Sequence, residues 1–247
     1  MTSSPTFLSR PDGQRLAYRK VEGAGPTVVW LGGFHSDMLG TKAEALAEWA
    51  AANGRAYVRF DYFGHGESSG AFEAGTIGRW RDDALAVVDE LCDGPLVLVG
   101  SSMGGWIASL VALARPERIA GVVLIAPAPD MTDKLIEPEL PGEARAALAE
   151  HGVWTRPSLY DDGYPITRAL LDEGRQWSIL PGPVAINAPL HVLQGGVDPD
   201  VPWRHAKLLA DAWAGEDVVF TLIRDGDHRL SRPQDLKRLL AAVAEMG

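Results

Sequence analysis

Cysteine is nearly absent: Cys92 is the only one in 247 residues. A single thiol cannot close an intramolecular disulfide or supply the several thiolates of a zinc site. It ends the helical run LAVVDELC, where a free cysteine reads as a small apolar filler. Long apolar runs are also missing, none approaching the roughly 20 residues of a membrane-crossing helix. The N-terminal stretch MTSSPTFLSRPDGQRL lacks the charged-then-apolar order of a secretory signal. Cations are scarce, with 23 Lys and Arg against 33 Asp and Glu and a net charge of −10. Phosphate backbones and anionic lipids both call for clustered Lys and Arg. Neither a nucleic-acid partner nor stable membrane insertion is therefore expected, and the chain reads as soluble and cytoplasmic. Nothing in the sequence bears on its oligomeric state.

What the sequence does have is alternation. Short apolar runs take turns with helical patterns, the signature of βαβ units. TFLSR, a PDGQ turn and RLAYRKV read as a hairpin. Strands are expected at 27–33, 56–62, 95–101 and 121–129, separated by helices over 41–54, 76–92 and 104–115. From Asp130 to Asn187 the alternation stops and six prolines break the pattern. It resumes with a strand at 189–195, a helix at 203–214, a strand at 218–226 and a last helix at 233–246. The expected fold is α/β: a mostly parallel eight-stranded sheet with helices on both faces. Residues 1–129 and 188–247 form its core, and 130–187 a short cap inserted over it.

The stretch LVLVGSSMGGW places two serines where a strand gives way to a helix. A nucleophile elbow, G-x-S-x-G, needs glycine two residues to either side, because larger side chains collide with neighbouring backbone in so tight a turn. Ser102 has Gly100 and Gly104 at those positions, whereas Ser101 has Val99 and Met103. Ser102 is the candidate nucleophile. A serine hydroxyl needs a base to take its proton, and this architecture orders the partners as serine, acid, histidine. GGVDPDVP follows the strand PLHVLQG and offers Asp198, with Asp200 as the alternative. Of six histidines, His228 in IRDGDHRL follows the last strand, where a base belongs. His191 and His205 read as structural or surface groups, His151 falls in the insertion, and His65 precedes the serine in a Gly-rich loop. The backbone N–H groups of Met103 and of Phe34, in the loop LGGFHSDM, are the expected oxyanion donors. His35 has no second ligand at metal spacing nearby, so no metal site is expected.

Taken together, RFDYFGHGESSG, GSSMGGW, the insertion motifs GVW, PSLY and GYPIT, DPDVPW and DGDHR resemble an α/β-hydrolase. The branch they resemble is that of the mitochondrial palmitoyl-protein thioesterases, also described as acyl-glucuronide deacylases, and its bacterial relatives. The resemblance implies a triad of Ser102, Asp198 and His228, oxyanion donors at Phe34 and Met103, and a short cap over an acyl pocket. Because the chain starts at the domain, a transit peptide and the mitochondrial address are not expected to carry over. Asp61, Gly64 and Gly66 sit where the family has a structural turn.

The expected activity is that of a serine carboxylesterase or thioesterase working through an acyl-enzyme on Ser102. Its partner is a small-molecule or lipid-acyl ester or thioester, and it needs no cofactor. S-depalmitoylation and acyl-glucuronide cleavage are the specific forms. A non-catalytic binding protein on the same fold and an acyltransferase using the same triad are the alternatives. Trp106, Trp154, Tyr160, Tyr164, Trp177 and Trp203, in and beside the insertion, are candidate substrate-binding residues. Arg59 and Arg168 are weaker candidates for a substrate carboxylate.

Overall fold

The computed structural model describes residues 4–157 and 163–247. Its main sheet has eight strands: β1 (Thr6–Ser9), β2 (Arg15–Val21), β3 (Ala24–Leu31), β4 (Arg55–Phe60), β5 (Leu96–Ser101), β6 (Ile119–Ile125), β9 (Leu190–Gly195) and β10 (Val218–Ile223). Their order across the sheet is β1-β2-β4-β3-β5-β6-β9-β10. β1 and β2 run antiparallel to their neighbours, and every other pairing is parallel. The central strands VVWL, LVLVGS and VVLI are apolar on both faces and buried throughout, as a parallel sheet covered on both sides requires.

Five helices follow the strands: α1 (Thr41–Ala52), α2 (Ile77–Leu91), α3 (Met103–Ala114), α6 (Trp203–Ala212) and α7 (Pro233–Glu245). They divide the core into two clusters, one per face. The first holds Trp80, Trp106 and Ile107, and the second Ala43, Leu46, Leu239 and Val243. α2 starts at Thr76, whose hydroxyl accepts the N–H of Arg79 at 3.2 Å. α3 is apolar all round and buried from Met103 to Ala112, the pattern of a helix enclosed on every side. Cys92 is buried just past α2, and burial pushes its thiol up to about 11. It is packing, not a nucleophile.

Several boundaries differ from the sequence pattern for local reasons. β3 ends at Leu31, which leaves Gly32 and Gly33 to the loop. β6 ends at Ile125 because Ala126 takes a positive φ and Pro127 follows. β10 ends at Ile223 in a tight turn, and α6 ends at Ala212 where Trp213 turns extended.

Between β6 and β9 the chain forms a π-helical turn (Thr132–Ile136), then α4 (Gly142–His151), β7 (Val153–Arg156), β8 (Tyr164–Thr167) and α5 (Arg168–Gly174). β7 and β8 pair with each other in a separate two-stranded sheet. Asp130, fully buried with φ +53°, ties the start of this segment to its end. Its carboxylate accepts from Ser178 Oγ at 2.7 Å, Ile179 N at 2.9 Å and Leu180 N at 2.8 Å.

Candidate active site

Ser102 follows β5 directly and carries φ 56° and ψ −119°, a conformation unfavourable for a residue with a Cβ. Neighbouring strands hold it there. Its N–H donates to Ile125 O at 2.9 Å, and its carbonyl accepts from Gly105 N at 2.9 Å and Ala128 N at 3.1 Å. Close packing explains the flanking glycines: a Cβ on Gly100 would lie 2.3 Å from Gly104 O, and one on Gly104 2.1 Å from Leu31 O. Ser101 is the last residue of β5 and is buried.

The Ser102 hydroxyl lies 3.1 Å from His228 Nε2, and His228 Nδ1 lies 2.8 Å from Asp198 Oδ2. Asp198 is held by more than the histidine. Oδ1 accepts the N–H groups of Asp200 and Val201, both at 2.9 Å, and Oδ2 accepts Gln194 Nε2 at 3.1 Å. Asp200 thus contributes its backbone to Asp198, and its own carboxylate is exposed. Asp198, Asp200 and His228 bring ligand-type atoms within 4.8 Å of one another, through the Asp198–His228 hydrogen bond and the Asp198–Asp200 turn. Sequence reading missed Gln194, which is fully buried at the end of β9. Its signal was an amide inside the otherwise apolar run PLHVLQG. The two loops approach so closely that a Cβ on Gly195 would lie 2.4 Å from Asp227 O.

Residues Gly33 to Ser36 form a turn, closed by Ser36 N and Ser36 Oγ to Gly33 O at 3.3 and 2.8 Å. A Cβ on Gly33 would sit 3.5 Å from Ser102 Cβ, so this turn packs directly on the elbow. Met103 is the first residue of α3, and its N–H is one of those a helix leaves unpaired at its start. The Phe34 ring packs edge-on against Phe72 and Trp80, with centroids 5.0 and 5.7 Å away. Among the other histidines, His191 meets Thr221 Oγ1 at 2.9 Å, His205 Nε2 meets Pro129 O at 2.7 Å, and His151 is exposed at the end of α4.

A cavity of about 620 Å³ opens over Ser102 and His228. Its lining is apolar at Phe34, Ala128, Met131, Leu135 and Ile136 and polar at Ser36, Asp37, Lys42, Asp200 and Arg229. Lys42 Nζ donates to Arg229 O at 2.5 Å. Burial, reinforced by Arg229 and opposed by Asp227, pushes its ammonium down to about 8.

Of the aromatic residues expected at the substrate, Tyr164 lines this cavity. Trp106, Trp154, Trp177 and Trp203 do not line it. Trp106 is fully buried and donates to Trp177 O at 3.1 Å. Trp177 is turned toward Glu173, which accepts its Nε1 at 2.6 Å. Trp154 packs against the core, and Trp203 carries the Arg204 guanidinium 4.4 Å above its ring. Tyr160 lies outside the described residues. Arg59 is buried, pairing with Glu44 at 2.7 Å, and Arg168 donates to Leu148 O at 3.0 Å; neither lines the cavity.

The family model described as serine aminopeptidase S33 matches residues 24–172. The human mitochondrial palmitoyl-protein thioesterase ABHD10 is 37% identical over 246 residues, covering 99% of this chain and 80% of that protein. The structure of mouse alpha/beta hydrolase domain-containing protein 10 superposes with a TM-score of 0.90 at 34% identity, covering 99% of this chain and 98% of that one. A crystal structure from Agrobacterium vitis S4 superposes with a TM-score of 0.93 at 45% identity, covering 98% and 97%. These relatives correct the cytoplasmic expectation. The thioesterases are mitochondrial by name, and they point to the mitochondrion. Composition excludes an apolar span but carries no information about which compartment holds the protein.

Proposed function

Because this chain belongs to the α/β-hydrolase family, in the branch of the ABHD10 thioesterases, we propose that it cleaves acyl esters or thioesters through an acyl-enzyme on Ser102. His228 Nε2 takes the Ser102 proton as Oγ attacks the acyl carbonyl, and Asp198 orients and stabilises the imidazolium that forms. The N–H groups of Phe34 and Met103 bind the oxyanion, each donor being worth about 3 kcal/mol in the transition state. His228 then hands its proton to the departing alcohol or thiol. A water molecule, deprotonated by His228, attacks the ester carbonyl and releases the acid.

The acyl chain takes the apolar lining of the cavity, along Met131, Leu135 and Ile136. Residues 130–187 act as the cap over it. The leaving group takes the polar lining at Lys42 and Arg229, suited to the carboxylate of an acyl glucuronide as well as to a thiol carrier. One observation carries this reading: the continuous chain Ser102–His228–Asp198, with contacts of 3.1 and 2.8 Å, at the floor of that cavity.

A fluorophosphonate probe tests it. Labelling is expected on Ser102 alone, and Ser102→Ala should lower kcat for p-nitrophenyl esters by about 10⁴-fold or more. Unchanged hydrolysis by Ser102→Ala would overturn the mechanism. Acyl-ligand binding without turnover would favour the binding-protein alternative.

A further inference from the structure

The mechanism above makes no use of His65, which lies in the turn FGHGESSG after β4 and is 3% exposed. Its ring stands edge-on to Tyr62, Phe72 and Trp80, with centroids 5.6, 4.9 and 5.2 Å away. Both ring nitrogens have partners. Nε2 lies 3.2 Å from the backbone N–H of His35, and Nδ1 lies 3.2 Å from Phe63 O. An N–H can be accepted only by an unprotonated nitrogen, so the single ring proton sits on Nδ1 and is donated to Phe63 O. Trp80 Nε1 donates to the same carbonyl at 3.0 Å, which further locks the ring's surroundings.

The partner at Nε2 matters more. His35 follows Phe34 in the Gly33–Ser36 turn and carries φ 56°, a left-handed value that a residue with a Cβ adopts at a cost. In such a turn the central peptide can flip, and here that peptide joins Phe34 to His35. His65 holds the His35 N–H of that peptide, and its loss would free the peptide and, through the shared Phe34 Cα, loosen the Gly33–Phe34 peptide that carries the Phe34 N–H. Asp61 tethers the same loop farther on, with Oδ1 accepting Met38 N at 2.7 Å and Oδ2 accepting Glu67 N at 2.9 Å. His65 therefore supplies a hydrogen bond from the β4 turn to the residue next to Phe34.

We propose that His65 is a positioning residue for the oxyanion hole: its neutral imidazole, accepting the His35 N–H, anchors the turn immediately after Phe34 and so keeps the Phe34 N–H turned to the acyl carbonyl. The inference rests on the acyl-enzyme reading above. Burial above all, opposed by the Phe63 carbonyl and helped by the nearby His35, pushes the His65 imidazolium down to about 4, so the accepting form is the one present around neutrality.

The test compares His65→Phe, which keeps an aromatic ring without an acceptor, with His65→Gln, whose Oε1 can accept the His35 N–H. For His65→Phe, kcat should fall by about 10- to 100-fold, part of the effect of losing an oxyanion donor outright, with KM nearly unchanged. Affinity for a trifluoromethyl ketone, which adds to the serine and places an oxyanion in the hole, should fall by the same factor. Affinity for a carboxamide analogue, which forms no oxyanion, should not. His65→Gln should recover most of both losses. His65→Asn, smaller and too short to reach His35, should behave like His65→Phe and serves if the latter does not fold. Wild-type kcat in the Phe and Asn variants, or equal loss of ketone and carboxamide affinity, would overturn the inference. If the wild-type protein itself neither takes the fluorophosphonate at Ser102 nor binds the ketone, the acyl-enzyme reading has failed instead.

Discussion

Lys42 is the residue whose place in the cavity has the most direct consequence for substrate choice. Its ammonium bonds to the carbonyl of Arg229, one position past His228, in the lining where the leaving group is proposed to sit. With its ammonium lowered to about 8, it is charged below that pH and neutral above. For two esters of the same acid, one with an anionic and one with a neutral leaving group, KM of the anionic ester should rise as pH passes 8 while that of the neutral ester holds. Lys42→Met should remove the difference at pH 7, costing the anionic ester about 5-fold in KM, the worth of a partly screened ion pair. Equal KM changes for both esters would show that Lys42 only braces the His228 loop. None of this was legible in the sequence, where Lys42 reads as the second residue of an amphipathic helix. Ser102, Asp198, His228 and Phe34 could be proposed from the sequence because each sits just past a strand with a clear apolar pattern. Gln194 and His65 were not, since a buried amide and a loop imidazole take their meaning from partners 4 and 30 residues away.

At the scale of elements, the contrast is between segments that carry a period and segments that do not. β5 and α3 announce themselves by composition, and the glycines between them have the steric reason the motif demands. The segment after β6 has no comparable signal. The aromatic residues in and beside it were candidate substrate contacts, yet Trp106 and Trp177 spend their indole N–H groups on Trp177 O and Glu173. Beside Tyr164, the segment contributes aliphatic residues to the cavity, from the π-helical turn Thr132–Ile136 that carries Leu135 and Ile136. Such turns widen a helix locally and recur at functional sites. Leu135 is only half-buried, so a larger side chain there can occupy the cavity without overpacking the core. Leu135→Trp should lower kcat/KM for long-chain p-nitrophenyl esters by about 10-fold or more, the scale of a lost methylene-rich contact, and leave the acetyl ester nearly unaffected. A chain-length profile identical to wild type would place the acyl chain elsewhere.

For the molecule as a whole, the mostly parallel eight-stranded sheet was readable from the alternation of strand and helix patterns, while the strand order was not. Nor was the molecule's response to pH, because that depends on which charged groups are buried. Two such groups flank Phe63. Asp83 Oδ2 accepts the Phe63 N–H at 2.9 Å, and His65 Nδ1 donates to the Phe63 carbonyl at 3.2 Å. Burial pushes Asp83 up to about 6, against the opposing pull of Arg79 and Arg10, and pushes His65 down to about 4. The signs are opposite. Between pH 6.5 and 4 the unfolded chain protonates this histidine and the folded protein does not, so acidification costs stability. Between pH 6 and 3.8 the folded protein protonates Asp83 and the unfolded chain does not, so acidification adds stability. Each contribution reaches about 3 kcal/mol by the usual conversion of pKa to free energy, and in wild type they offset each other. Single variants should expose them. Urea unfolding at pH 4.5 and 7.5 should show His65→Gln gaining stability on acidification relative to wild type. Asp83→Asn, which removes the opposite contribution, should lose it relative to wild type. Curves for both variants that run parallel to wild type across this window would mean that neither group is buried in the state that matters for folding.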